Sequence, residues 1–148
     1  MQTILTAETI YFVSCVGKKE SRAFPAKDLY QSTWFKKARM FVESKKAPWF
    51  ILSAKYGLIS PNKIIKPYDQ TLNSMVIAER RDWADKVIAK MLISAPAMKK
   101  AVILAGKRYY EFLATELQKR KIEVTIPMKN LGIGKQLQWM DQNHGKAR

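Results

Sequence analysis

The chain has 148 residues, 47% of them hydrophobic, a length and composition that suit a single domain over 1–148 with an ordered core from about 9 to 143. One cysteine, Cys15, excludes an internal disulfide, and with one histidine, His144, the chain falls short of a zinc ligand set, so chemistry without metal or cofactor is expected. The 27 Lys+Arg against 12 Asp+Glu give a formal charge of +15, which concentrates polyanions and favours nucleic acid as the partner over anionic membrane or a merely basic surface.

The opening MQTILTAETIYFVS has no basic leader followed by a cleavage site, and only the first few residues and the tail GKAR read as loose. No apolar run approaches the roughly 18 residues of a spanning helix, and no basic amphipathic helix stands at either end. A cytoplasmic monomer is the expectation, with no membrane partner. The run TIYFVSCV, 9 to 16, is nearly continuous in hydrophobicity and predicts a strand covered on both faces. Residues 26 to 45 then place Leu29, Phe35 or Trp34, Ala38 and Phe41 or Val42 at helical spacing. Beyond Pro48, WFILSA (49 to 54) predicts a second strand.

The stretch SAKYGLISPNKIIKPYDQTL, 53 to 72, has neither a helical nor a strand repeat and is longer than most loops. Tyr56, Leu58, Ile59, Ile64, Ile65 and Tyr68 give it apolar anchors and Pro61 and Pro67 stiffen it, so it is expected to pack as a lid. Residues 74 to 93 predict a helix through Ile77, Trp83 or Ala84, Val87, Ile88 and Met91. KAVILA (100 to 105) and EVTIPM (123 to 128) predict further strands, separated by a helix over 108 to 120 and followed by one from about 134 to 143. Strands alternating with helices predict a parallel four-stranded sheet with helices on both faces, a three-layer α/β/α sandwich.

In open parallel sheets ligands bind beyond the carboxyl ends of the strands. Those ends run into Ser14-Cys15-Val16-Gly17-Lys18-Lys19, Ser53-Ala54-Lys55-Tyr56-Gly57, Gly106-Lys107-Arg108-Tyr109 and Lys129 to Lys135, so small residues and cations converge on one rim. Cys15 reads better as a small core residue than as a nucleophile, because nothing supplies a paired histidine. Gly134-Lys135 ahead of a helix reads equally as a turn or as backbone N–H groups offered to a phosphate. Tyr56 or Tyr68 would stack on a planar base. Asp69 is the carboxylate in the loop wall. It reads as a helix cap with about the same weight as a catalytic group that orients water or balances positive charge on a sugar.

The blocks FVSCVGKK, DLYQSTWFKKAR, WFILSAKYGLISPNKIIKPYDQTL and LGIGKQLQWM together resemble small bacterial and phage domains of unassigned function. Those domains look related to the YaaA DNA-binding proteins, to a domain of archaeosine synthase and, more remotely, to the uracil-DNA glycosylase fold. The resemblance spans about residues 10 to 140. It implies a sheet in the order 2-1-3-4 and a base-sized pocket at the strand ends. Carried onto this chain, that pocket would involve Ser14, Cys15, Lys18, Ser53, Lys55, Tyr56, Gly57, Tyr68 and Asp69, with Gly106 and Tyr109 opposite.

The resulting expectation is a monofunctional DNA glycosylase that removes a modified base. Asp69 would position water, Lys55 or Lys18 would stabilise the departing base, and Lys19, Lys107, Arg108, Gly134 and Lys135 would hold phosphates. The histidine that assists the leaving base in uracil-DNA glycosylases has no counterpart, because His144 lies in the tail. A non-enzymatic DNA-binding protein and a tRNA base-exchange enzyme are the alternatives.

Overall fold

Strand-length apolar runs alternating with longer amphipathic segments produce a mixed α/β fold, which the computed structural model describes for residues 5–15 and 19–144. In chain order its elements are β1 (Thr9–Ser14), β2 (Phe24–Pro25), α1 (Ala26–Leu29), α2 (Thr33–Ser44), β3 (Trp49–Ser53), β4 (Gly57–Ile59) and β5 (Ile64–Ile65). A 3-10 turn (Leu72–Ser74), α3 (Ile77–Ser94), β6 (Lys100–Leu104), α4 (Lys107–Lys119), β7 (Glu123–Thr125) and α5 (Ile133–Asn143) follow. The principal sheet has five strands in the order β4-β3-β1-β6-β7. All neighbours pair in parallel except β4, which is antiparallel to β3 at the edge. Among the described residues no helix is long and apolar enough to cross a membrane.

Period-two alternation sends successive side chains to opposite faces of this sheet. Ile10 and Phe12 of β1 join Leu52, Ala101 and Ile103 beneath α3 and α4, where Val87, Met91 and Leu113 are buried. Val13, Ile51, Val102 and Leu104 face the other way, beneath α2 and α5, against Phe35, Phe41 and Met140. Each fully buried aliphatic or aromatic side chain contributes about 1.5 to 3 kcal/mol of transfer free energy. Truncating the wholly buried Phe12 to alanine would cost roughly 3 to 5 kcal/mol.

The structure corrects the sequence reading at several points. The sheet has five strands rather than four, because the stretch after β3 is not irregular. The Ser53 hydroxyl accepts the Tyr56 N–H at 3.0 Å, and Gly57 takes φ +73, a left-handed conformation that costs a residue with a Cβ. The chain therefore reverses, and Gly57 and Leu58 pair with Ser53 and Leu52. Farther along, β5 pairs with β2, which buries Ile65 and leaves Ile64 68% exposed, so Ile64 is not an anchor.

The helix expected over 26 to 45 is two helices. Tyr30 is extended (φ -88, ψ 128), and Ser32 caps α2 by accepting from Phe35 N at 3.1 Å. The fourth parallel strand ends at Thr125, because Pro127 offers no N–H to a ladder and Ile126 and Met128 accept turn bonds from Lys129 and Leu131. The expected ends of the first strand (Val16) and of the chain fall outside the described residues.

Candidate nucleic-acid interface

Parallel strands deliver their carboxyl ends to one edge, and the helices that follow them begin there. On that rim the predicted residues separate into three groups.

The first is a buried knot of hydroxyls below the end of β1. The Tyr68 hydroxyl bonds Tyr30 Oη at 2.7 Å, accepts from Ser53 Oγ at 2.7 Å and meets Cys15 Sγ at 3.4 Å. The thiol also donates to Leu52 O at 3.2 Å. Lys19 Nζ lies 4.7 Å from the Tyr68 ring centroid, and the rings of Tyr30 and Tyr56 meet Tyr68 edge-on. Burial pushes the Cys15 thiol up to about 11 and raises both Tyr30 and Tyr68, so all three are protonated at neutral pH. Tyr68 is thus a strut that fastens the crossover loop to the sheet. With its ring enclosed it offers no open face to a base, contrary to the stacking expected of it. Ser14 is buried beside this knot in sequence, at the end of β1.

The second group lines a pocket of about 410 Å³ between the N-termini of α2, α4 and α5. Trp34, Asn73, Arg108, Tyr109, Ile133 and Gln136 form most of its wall, with Gly106 and Lys107 at one side. Trp34 Nε1 donates to Gln136 Oε1 at 2.7 Å, and Gln136 Nε2 donates to Leu131 O at 2.7 Å, which fixes the indole and the amide together. Tyr109 is buried, which raises its phenol, and its oxygen accepts from Leu72 N at 3.5 Å. Gly106 and Gly132 are the N-caps of α4 and α5, and neither helix has a side-chain cap. Their first N–H groups therefore lack intrahelical partners and add positive potential to the mouth. Gly134 and Lys135, both exposed, lie in that first turn of α5.

The third group, Lys55, Tyr56 and Gly57, lines a separate groove of about 570 Å³ against α3. Trp83 anchors this side through Nε1, which donates to Ser53 O at 2.8 Å.

The sequence profile of a family of unknown function (DUF6884) matches residues 10–142. The chain belongs to that family. No curated protein matches the chain.

Among the described residues of this DUF6884 chain, Lys55, Tyr56 and Gly57 line the groove while Gly106 and Tyr109 line the pocket, although one pocket was expected to hold them all. Neither the pocket nor the groove includes Ser14, Cys15 or Asp69. Asp69 is exposed and makes no hydrogen bond or ion pair among the described residues; the cap of the following turn is Thr71, whose side chain accepts from Asn73 N at 3.2 Å. The cap reading of Asp69 is thereby replaced. Lys18 lies outside the described residues. Among the described residues no three of His, Cys, Asp and Glu come together as a metal site.

Sequence reasoning missed Tyr30, Trp34, Asn73 and Gln136. Trp34 and Gln136 belong to helix starts rather than strand ends. Ser32, a capping residue type two positions before Trp34, was the available signal for the first of them.

Proposed function

We propose that this protein binds nucleic acid, DNA in the first instance, along the carboxyl rim, with one nucleotide entering the pocket between α2, α4 and α5. The observation that carries the reading is that pocket: about 410 Å³, lined by Trp34, Tyr109, Lys107 and Arg108, with Lys135 exposed in the first turn of α5. The volume falls within the roughly 300 to 1,000 Å³ usual for ligand sites. An aromatic face for the base and cations for the phosphates are what sequence-tolerant strand binding requires. Among the described residues those three cations form no salt bridge. The resemblance to YaaA-type DNA-binding proteins and to glycosylase-like domains supports the same partner. Fluorescence anisotropy with labelled DNA and tRNA tests the reading: binding should weaken with salt, and Lys107→Ala with Arg108→Ala should lower the slope by about 0.7 to 0.9 per phosphate released from neutralisation. Equal binding by wild type and double variant at every salt concentration would refute it.

A second reading, hydrolysis of an N-glycosidic bond, is favoured by Asp69. A carboxylate with no partner among the described residues of so basic a chain, four positions before Asn73 of the pocket wall, is available to orient water or balance oxocarbenium charge. Lys55 lines the groove rather than the pocket, so the departing base is assigned no contact with it. Asp69→Asn should abolish release of free base from DNA carrying modified bases, read by mass spectrometry, while leaving DNA affinity intact. Base release that survives the substitution removes Asp69 from the chemistry.

A further inference from the structure

The pocket and the groove are separated by one turn of chain: Asn73 lines the former and Met75 the latter, so the 3-10 turn Leu72–Ser74 is the ridge between them. The ridge is held on both sides. Leu72 N donates to Tyr109 Oη at 3.5 Å, and the buried Arg80 donates from Nη1 to Met75 O at 2.8 Å while its Nη2 reaches Glu111 at 3.4 Å.

Beyond the ridge, the groove follows α3 from Glu79 to Lys90 over Trp83, roughly 16 Å at about 1.5 Å per residue. Its two carboxylates are already engaged: Glu79 Oε1 accepts from Val76 N at 3.0 Å, and Asp82 pairs with Lys86 at 3.1 Å. Against these two carboxylates stand Lys55, Lys86 and Lys90, a surplus of one cation; Lys55 Nζ lies 5.3 Å from the Tyr56 ring centroid and Lys90 donates to Tyr56 O at 3.4 Å. The groove is therefore cationic in balance, has an aromatic lip and is too long for a single base.

We propose that the groove along α3 is a second subsite, which takes the nucleotides flanking the one in the pocket as the strand crosses the Leu72–Ser74 ridge. The occupant is single-stranded nucleic acid, with its phosphates on Lys55 and Lys90 and a base against Tyr56. This inference rests on the nucleic-acid reading of the pocket. It assigns the protein an extended footprint rather than a mononucleotide site.

The test compares a labelled dinucleotide with a long labelled oligothymidylate on the full chain, wild type and Lys55→Ala/Lys90→Ala. Both lysines are exposed, so an unchanged melting temperature is expected and serves as the folding control. The ratio of long-probe to short-probe affinity should fall several-fold in the variant, and the salt slope for the long probe should drop by about 0.7 for each phosphate that the variant no longer neutralises. An unchanged ratio with both probes still bound overturns the groove subsite alone. Failure of wild type to bind either probe overturns the reading of the pocket and the subsite with it.

Discussion

The two ends of the parallel sheet treat the same residue types in opposite ways. At the amino end cations meet carboxylates: Lys99 with Glu8 at 3.4 Å, Lys100 with Glu123 at 3.6 Å, and Arg120 with Glu116 at 3.0 Å. Hydrogen bonds from Arg120 and then Lys119 hold Glu116 below the usual carboxylate range. At the carboxyl end Lys107, Arg108, Lys129 and Lys135 form no ion pair among the described residues. Exposed ion pairs contribute only about 0 to 1 kcal/mol, so neither arrangement decides whether the chain folds. What differs is the pairing: these cations engage carboxylates at one end, while the four named at the other stand open to a polyanion.

The largest effect that can break this comparison is a reversal of charge. Lys107→Glu with Arg108→Glu should weaken DNA binding by at least about tenfold at moderate salt, whereas Lys99→Glu with Lys119→Glu should cost a few-fold at most. Equal losses would mean that the whole surface, not the rim, attracts DNA. Second comes alkali. The folded thiol of Cys15 keeps its proton to about 11 while the unfolded thiol loses it near 9.0, so the native state binds more protons between those values and stability falls as pH rises. The raised Tyr30 and Tyr68 act in the same direction. Urea melts should show a decline of roughly 2 to 3 kcal/mol from the thiol by pH 11, made shallower by Cys15→Ala; identical slopes for the two proteins would contradict the burial argument.

Of similar or smaller size, Tyr68→Phe removes the shared oxygen from the rim knot and should destabilise by about 1 to 3 kcal/mol. Gly57→Ala should cost about 1 kcal/mol through its backbone alone, because the added Cβ would meet only Val87 Cγ2 at an ordinary 3.7 Å. The smallest effect is expected at the amino end, where Lys99→Ala should stay within about 0.5 kcal/mol.

Much of the fold was legible because β-branched and aromatic runs such as TIYFVS and KAVIL are short and separated by amphipathic segments. What could not be read depends on partners distant in sequence. β2 and β5 have two residues each and exist only because Phe24 meets Ile65 and Pro25 meets Ile64. The break at Tyr30 was hidden because Leu29 and Phe35 are both buried, so the apolar spacing continues across it. At the site, the rule about strand ends located the cations of the rim. It could not distinguish Tyr68, whose oxygen is shared by three side chains, from a stacking tyrosine, nor show that one turn stands between the pocket and the groove.

Helix α1 has only four residues and no side-chain cap of its own; its leading N–H groups, on Ala26 and Lys27, are satisfied by Lys63 O at 2.7 Å and Pro61 O at 2.8 Å. A single helical turn does not persist alone in water. The tip of the crossover segment and residues 24 to 30 must therefore form and melt as one cooperative unit. Deuterium should enter Ala26 and Lys27 at a common rate, and that segment cannot swing aside to admit a ligand while α1 remains intact.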